Sequence, residues 1–313
     1  MLVNGKWSEA WHPVQATDRQ GGFVRQTSQF RHWISADGTT EFAAEPDRYH
    51  LYVALICPWA SRTLIARSLK GLGQVITVSV VEPQLGSAGW RFGDYPGAQR
   101  DTLNQADYLH ELYTRADAGF TGRATVPVLW DKKTQTIVNN ESADILRMLN
   151  SGFGDLADDR LDLYPADLRT EIDALNETIY TRLNNGVYRT GFATTQVSYQ
   201  QAFSDVFAQL DELETLLKDG RTFVLGERLT ETDIRLFVTL IRFDAAYYGL
   251  FKCNLRRLCD YPLLDRYLKS VLAVSGIRQT VNMDHIKQGY YSIKALNPNG
   301  IVPAGPDMAA YGF

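Results

Sequence analysis

Residues Leu51–Leu69 read LYVALICPWASRTLIARSL, and the periodicity changes halfway along. Leu51–Ile56 is an apolar, β-rich run; Pro58–Leu69 carries its apolar residues at helical spacing. Cys57 stands at the junction, where a strand turns into a helix. The first N–H groups of a helix point outward there and carry partial positive charge, which favours thiolate over thiol. Pro58 suits the first helical position, because the N–H it lacks has no partner there anyway. Residue types and order together describe a thiolate site at a helix start.

Working outward, the strand extends back to Arg48, and Gly71 and Gly73 stop the helix. Gln74–Val81, QVITVSVV, is a continuous apolar and β-branched run that predicts a strand buried on both faces. These elements make a βαβ unit. The chain is loop-like from Glu82 to Gly122, with a short helix expected over Asn104–Arg115; insertions of this length are often functional. ATVPVLW (124–130), polar Asp131–Gln135 and Thr136–Val138 then predict a hairpin. Pro127 cannot donate to a ladder, so it belongs at an edge or in a special turn, and a cis Val126–Pro127 bond fits. Asn139–Ser142 opens a helix over Ala143–Leu149, whose start is a second place for an anion.

Gly152–Asp162, GFGDLADDRLD, reads as a linker, and beyond it the pattern is helical: Ala166–Leu183, Tyr199–Leu217, a capping box at Thr230–Asp233, Pro262–Val274 and Gln279–Tyr290. An irregular tail follows from Asn297. The expected organisation is an N-terminal extension (1–45), an α/β domain (46–151) with an insertion at about 83–122, and an all-helical domain (163–313). In the extension, FVRQTSQFRHWI (23–34) carries Phe23, Phe30, Trp33 and Ile34, which are expected to be buried as an arm packed on the core; a role in shaping the site is the alternative.

The chain has 313 residues, a formal net charge of −4 and three cysteines. That charge gives no overall pull toward nucleic acid or anionic lipid. No apolar leader opens the sequence, and no run is apolar enough to span a bilayer. Few, odd-numbered cysteines suit a reducing, cytoplasmic setting rather than a disulfide framework.

A free cysteine is most often a small buried apolar residue. Position and neighbours argue otherwise for Cys57. Ala60 occupies the place of a dithiol enzyme's resolving cysteine. A mixed disulfide on Cys57 must therefore be resolved by an external thiol, most simply a second glutathione. Cys253 and Cys259 have no metal spacing and read as structural; the dispersed histidines form no metal or triad motif. The expectation is glutathione as co-substrate and no metal. The Val126 backbone can pair with the cysteinyl part of glutathione, Glu141 and Ser142 can take its γ-glutamyl ammonium and carboxylate, and Arg123 its glycine carboxylate.

The order Cys57, Val126-Pro127, Glu141-Ser142, followed by helices, resembles the glutathione transferases: a thioredoxin-like N-terminal domain, then an all-helical one. LICPWASRTL, GWRF (89–92), NNGVYRTGFA (184–193), RLTETDIRLF, RFDAAYYGLFKCNLRR (242–257) and HIKQGYY (285–291) are similar to the xi class, the glutathionyl-hydroquinone reductases, over nearly the whole chain. The resemblance implies that Cys57 attacks the sulfur of a glutathionyl-hydroquinone, that Trp90, Arg123, Val126, Glu141 and Ser142 hold glutathione, and that Tyr188, Tyr247 and Tyr290 line the aromatic pocket, with Tyr188 and Tyr290 as candidate acids. It also implies a homodimer built through the helical domain. An omega-like thioltransferase or dehydroascorbate reductase, and a non-catalytic glutathione-binding protein, are the alternatives. In one respect the chain departs from the family's pattern: Gly289 stands where a histidine precedes the paired tyrosines, and Ile293-Lys294 stand where a second histidine follows.

Overall fold

The computed structural model describes residues 1–8 and 16–313; residues 9–15, part of the N-terminal extension, lie outside the described residues. Two compact units emerge. The first is built on Gln26–Asp162 with Gln279–Gly289 and the chain's first residues, the second on Leu163–Arg278 with Tyr290–Phe313 and the segment ending at Arg25. The sequence reading places 163–313 together; in the structure Gln279–Gly289 group with the first unit and the segment before Gln26 with the second.

In the first unit, short pairs β1 (Leu2–Val3) with β2 (Lys6–Trp7) and β3 (Ile34–Ser35) with β4 (Phe42–Ala43) flank the main sheet. That sheet contains β5 (Tyr49–Val53), β6 (Ile76–Val80), β7 (Val128–Asp131) and β8 (Thr136–Asn139) in the order β6-β5-β7-β8. β5 runs parallel to β6 and antiparallel to β7, and β7 pairs antiparallel with β8. Between β5 and β6 lies α1 (Pro58–Leu69), between β6 and β7 α2 (Leu109–Ala116), and after β8 comes α3 (Ser142–Ser151), which packs on α1. A strand–helix–strand half followed by a hairpin and a helix is the thioredoxin-like arrangement.

Local chemistry accounts for α1. Pro58 fills its first turn, and Gly71, at φ 66°, takes the left-handed turn after Lys70 that ends it. Three expectations need correction. β6 is an edge strand, with Thr77 exposed, rather than a strand buried on both faces; the segment around Gln99 covers its outer edge, Gln99 N donating to Val80 O at 3.0 Å. Trp33 is 41% exposed, so the arm buries Phe23 and Ile34 but not that indole. The helix expected from Asn104 starts only at Leu109, because Asp101 turns the preceding segment, accepting from the N–H groups of Leu103, Asn104 and Ala106.

His50 on β5 is 5% exposed, with Nδ1 2.6 Å from Thr77 Oγ1 and Nε2 2.9 Å from Ser79 Oγ. Burial pulls its pKa from 6.5 down to about 4. Between those values the unfolded chain binds a proton that the folded chain does not. Stability is therefore full above about pH 6.5 and falls as pH drops toward 4, by about 3 kcal/mol across the window. Denaturant unfolding at neutral and at acid pH should show this loss, and His50→Gln should flatten it.

The second unit is helical: α4 (Arg169–Thr178), α5 (Gly186–Gly191), α6 (Gln196–Leu216), α7 (Glu231–Arg242) and α8 (Pro262–Ala273); α9 (Met283–Tyr291) contributes Tyr290 and Tyr291 to it. Asp233 is buried at the start of α7 and accepts four hydrogen bonds: from Thr230 N (2.9 Å), Thr230 Oγ1 (3.1 Å), Val224 N (2.9 Å) and Tyr267 Oη (2.9 Å). The capping box expected from sequence is therefore also a tertiary tie to α8 and to the 222–226 turn. Two π-helical turns were not foreseen, Ile179–Asn184 ahead of α5 and Phe243–Tyr247 after α7. Such turns re-aim side chains and are frequent at functional sites; here one carries Tyr247 and the other leads into the helix of Tyr188. No described helix is long and apolar enough to cross a membrane.

Candidate active site

In the first unit, Cys57 is the N-cap of α1, in extended conformation (φ −76°, ψ 117°) and half-buried. Its Sγ lies 3.7 Å from the carbonyl oxygen of Val126. Val126–Pro127 is cis, the special turn that takes Pro127 into β7 without a ladder donor. The thiol and the backbone expected to pair with the cysteinyl part of glutathione are thus in contact.

Glu141 caps α3: Oε1 accepts from Ala143 N at 3.2 Å, and Oε2 accepts from Ser28 Oγ at 3.0 Å. Ser142 Oγ is 3.5 Å from Glu141 Oε1, and Ser142 is buried. The Glu141 carboxylate and the start of α3 are therefore adjacent. Arg123 N donates to Gln26 Oε1 at 3.2 Å. Burial and the nearby Arg123 guanidinium pull the Met1 amino group down to about 6. Trp90 sits half-buried in the 83–108 segment, its carbonyl accepting from Leu109 N at 2.9 Å.

Sequence reasoning passed over Gln26 and Ser28. It weighed the arm mainly by its aromatic residues, whereas the polar residues between them meet Arg123 and Glu141. Ser and Gln between aromatics carry no signal of their own, so only the fold reveals these contacts.

Gly289 on α9 packs against the turn before Cys57. A Cβ there would stand 2.5 Å from Ile56 Cδ1 and 2.6 Å from the carbonyl oxygen of Pro83. The departure from the family pattern thus coincides with a close backbone approach that admits no side chain. Gly289→Ala should cost about 2 kcal/mol in denaturant unfolding, because a backbone carbonyl must move.

In the second unit, the structure brings the three expected tyrosines together. The hydroxyls of Tyr188 and Tyr247 each lie 2.7 Å from that of Tyr290. Tyr247 and Tyr290 are buried, and Tyr188 is half-buried. Burial holds the Tyr247 and Tyr290 phenols well above their ordinary pKa, so both keep their protons. Each hydroxyl has one proton to give. The fully buried Tyr247 hydroxyl has that of Tyr290 as a hydrogen-bond partner. The three hydroxyls thus form one hydrogen-bonded cluster around Tyr290. Phe251 braces the cluster, its ring 5.4 Å from that of Tyr188 and 5.6 Å from that of Tyr290. A Cβ at Gly191 would stand 2.5 Å from the Phe251 ring, which is why α5 ends on glycine there.

The other two thiols are unsuited to catalysis. Burial pushes Cys253 up to about 12 and also raises Cys259. Among the described residues no group of side chains could hold a metal ion.

The glutathione S-transferase N-terminal domain family matches residues 56–151, and the glutathione S-transferase C-terminal domain family matches residues 196–270. Fold and thiol site agree with these matches, and the chain belongs to the glutathione S-transferase family. Within that family it is similar to particular enzymes. The glutathionyl-hydroquinone reductase PcpF of Sphingobium chlorophenolicum is 49% identical over 307 residues, covering 98% of this chain and 96% of PcpF. The glutathionyl-hydroquinone reductase YqjG of Escherichia coli K-12 is 50% identical over 313 residues, covering 97% of this chain and 94% of YqjG. The glutathione-bound structure of YqjG superposes with a TM-score of 0.89 at 47% identity, over 98% of this chain and 95% of that one. The xi glutathione S-transferase of Phanerochaete chrysosporium superposes with a TM-score of 0.90 at 46% identity, over 94% and 97% of the two chains.

Proposed function

We propose that the chain is a glutathionyl-hydroquinone reductase, a glutathione-dependent oxidoreductase that converts glutathionyl-hydroquinones to hydroquinones. The observation that carries this reading is the Cys57 Sγ against the Val126 carbonyl at 3.7 Å, with no cysteine at position 60. The Cys57 thiolate attacks the sulfur of the glutathionyl group. An S–S bond forms, the carbon–sulfur bond breaks, and its electron pair goes to the ring carbon, which takes a proton. Glutathione then attacks the Cys57–glutathione mixed disulfide, releasing oxidised glutathione and restoring the thiolate.

In this scheme Trp90, Arg123, Val126, Glu141 and Ser142 hold glutathione, with Arg123 on the glycine carboxylate and Glu141 on the γ-glutamyl ammonium. Tyr188, Tyr247 and Tyr290 take the hydroxylated ring. A ring bearing hydroxyls ortho or para to sulfur accepts a proton at carbon, and a tyrosine hydroxyl, that of Tyr188 or Tyr290, supplies it. A homodimer built through the helical domain follows from the family resemblance. A reducing, cytoplasmic setting fits three free cysteines.

The test is steady-state turnover with one glutathionylated quinol and with dehydroascorbate, following oxidised glutathione. The expected result is faster turnover of the quinol; much faster turnover of dehydroascorbate replaces this reading with the omega-like one.

A further inference from the structure

β8 is an edge strand of the main sheet, and the arm runs along its outer side. Arg31 pairs antiparallel with Asn139, and His32 N donates to Val138 O at 3.0 Å. The pairing continues past the strand into the segment that opens α3. Asn140 N donates to Phe30 O at 3.1 Å, and Phe30 N donates to Asn140 Oδ1 at 3.2 Å. Arg31 also forms an ion pair with Asp144 in the first turn of α3. Backbone and side-chain partners together fix the register of the arm, and that register brings Ser28 to Glu141. Ser28 Oγ lies 3.0 Å from Glu141 Oε2 and 3.3 Å from Asn140 O. A hydroxyl has one proton, and the nearer, charged acceptor takes it.

We propose that Ser28 is a positioning residue for glutathione, holding the Glu141 carboxylate in the orientation that receives the γ-glutamyl ammonium. The proposal rests on the reading that Glu141 takes that ammonium. Glu141 is the N-cap of α3, and its backbone N–H donates to Asn139 Oδ1 at 2.7 Å. Its Oε1 accepts from Ala143 N at 3.2 Å on its own helix, and its Oε2 accepts from Ser28 on the arm. A donor on one oxygen alone would let the other turn about it; a donor on each oxygen fixes the carboxylate plane. A carboxylate oxygen accepts two hydrogen bonds, so the Ser28 hydroxyl does not close Oε2 to an ammonium. Glu141 is half-buried, so without Ser28 its side chain must be ordered when glutathione binds. Ser28 moves that ordering into the folded protein, ahead of binding. The arm, whose aromatic residues pack on the core, thereby also shapes the γ-glutamyl end of the site.

The proposal predicts a split between two ligands that differ only at the amino group. Glutathione carries the ammonium; glutaryl-cysteinylglycine has a hydrogen in its place. Calorimetry on the full chain should show Ser28→Ala weakening glutathione by about fivefold, the cost of ordering one rotamer-rich side chain at binding. The same variant should bind glutaryl-cysteinylglycine within about twofold of wild type, because that ligand makes no use of the Glu141 carboxylate. Ser28→Thr keeps the hydroxyl and should bind glutathione within about twofold of wild type. Equal losses on both ligands, no loss on glutathione, or a threonine variant as weak as the alanine one would each overturn the role of Ser28. Glu141→Gln tests the reading beneath it and should weaken glutathione by at least about tenfold, as loss of a charged acceptor requires. If Glu141→Gln binds glutathione as tightly as wild type, the placement of the ammonium on Glu141 fails instead.

Discussion

Cys57→Ala abolishes reduction of a glutathionyl-hydroquinone, lowering kcat/KM by roughly a thousandfold or more. The magnitude follows from the chemistry. No other cysteine lies three residues along at Ala60, burial pushes the Cys253 thiol up to about 12, and the Cys259 thiol is also raised. No second nucleophile is therefore at hand when Cys57 is removed. Cys253→Ala and Cys259→Ala should each stay within about twofold of wild type, because both thiols are raised above their ordinary pKa, away from the reactive thiolate. Loss of oxidised-glutathione release in the Cys57 variant, with binding of glutathione retained by calorimetry, places the effect on chemistry rather than on folding. Substantial turnover by Cys57→Ala would sink the mechanism.

The second large effect is on stability. Asp233→Ala should lower the unfolding free energy by about 4 kcal/mol, visible as a marked fall in Tm and in the denaturant midpoint. Four donors converge on this one buried carboxylate: two from Thr230 at the helix start, one from Val224 in the preceding turn and one from Tyr267 on α8. Removing it leaves all four in a site that water does not reach. An ordinary surface N-cap is worth about 1 kcal/mol, so a loss of only that size would mean that the ties to Val224 and Tyr267 contribute nothing.

Much of this was legible from the chain. The change of period at Cys57, with Pro58 behind it, fixes a strand-to-helix turn, and α1 spans Pro58–Leu69 as that pattern predicts. Val126-Pro127 before an apolar hairpin points to a special turn, and that turn meets the thiol. Thr230–Asp233 reads as a capping box because its chemistry is local. What sequence misses is tertiary. A continuous apolar run such as Gln74–Val81 looks alike at the centre of a sheet and at an edge covered by a loop, so the position of β6 had to come from the structure. The π turns ahead of Tyr188 and at Tyr247 have no residue pattern that marks them in the sequence. Gly289 departs from the family pattern in sequence, and only the fold shows Pro83 and Ile56 against it. Arg25, Gln26 and Ser28 sit in an arm whose aromatics drew notice, yet it is their polar groups that reach Tyr188, Arg123 and Glu141.

The central claim is that sulfur passes through Cys57. A single turnover with excess protein, one glutathionyl-hydroquinone and no free glutathione isolates the first half of the cycle. Intact-mass and peptide mass spectrometry should then show one glutathionyl group on the peptide that contains Cys57, in amounts equal to the hydroquinone released. Adding glutathione should discharge it as oxidised glutathione. Hydroquinone release with no glutathionyl group on Cys57, or with the group on Cys253 or Cys259, would contradict the account.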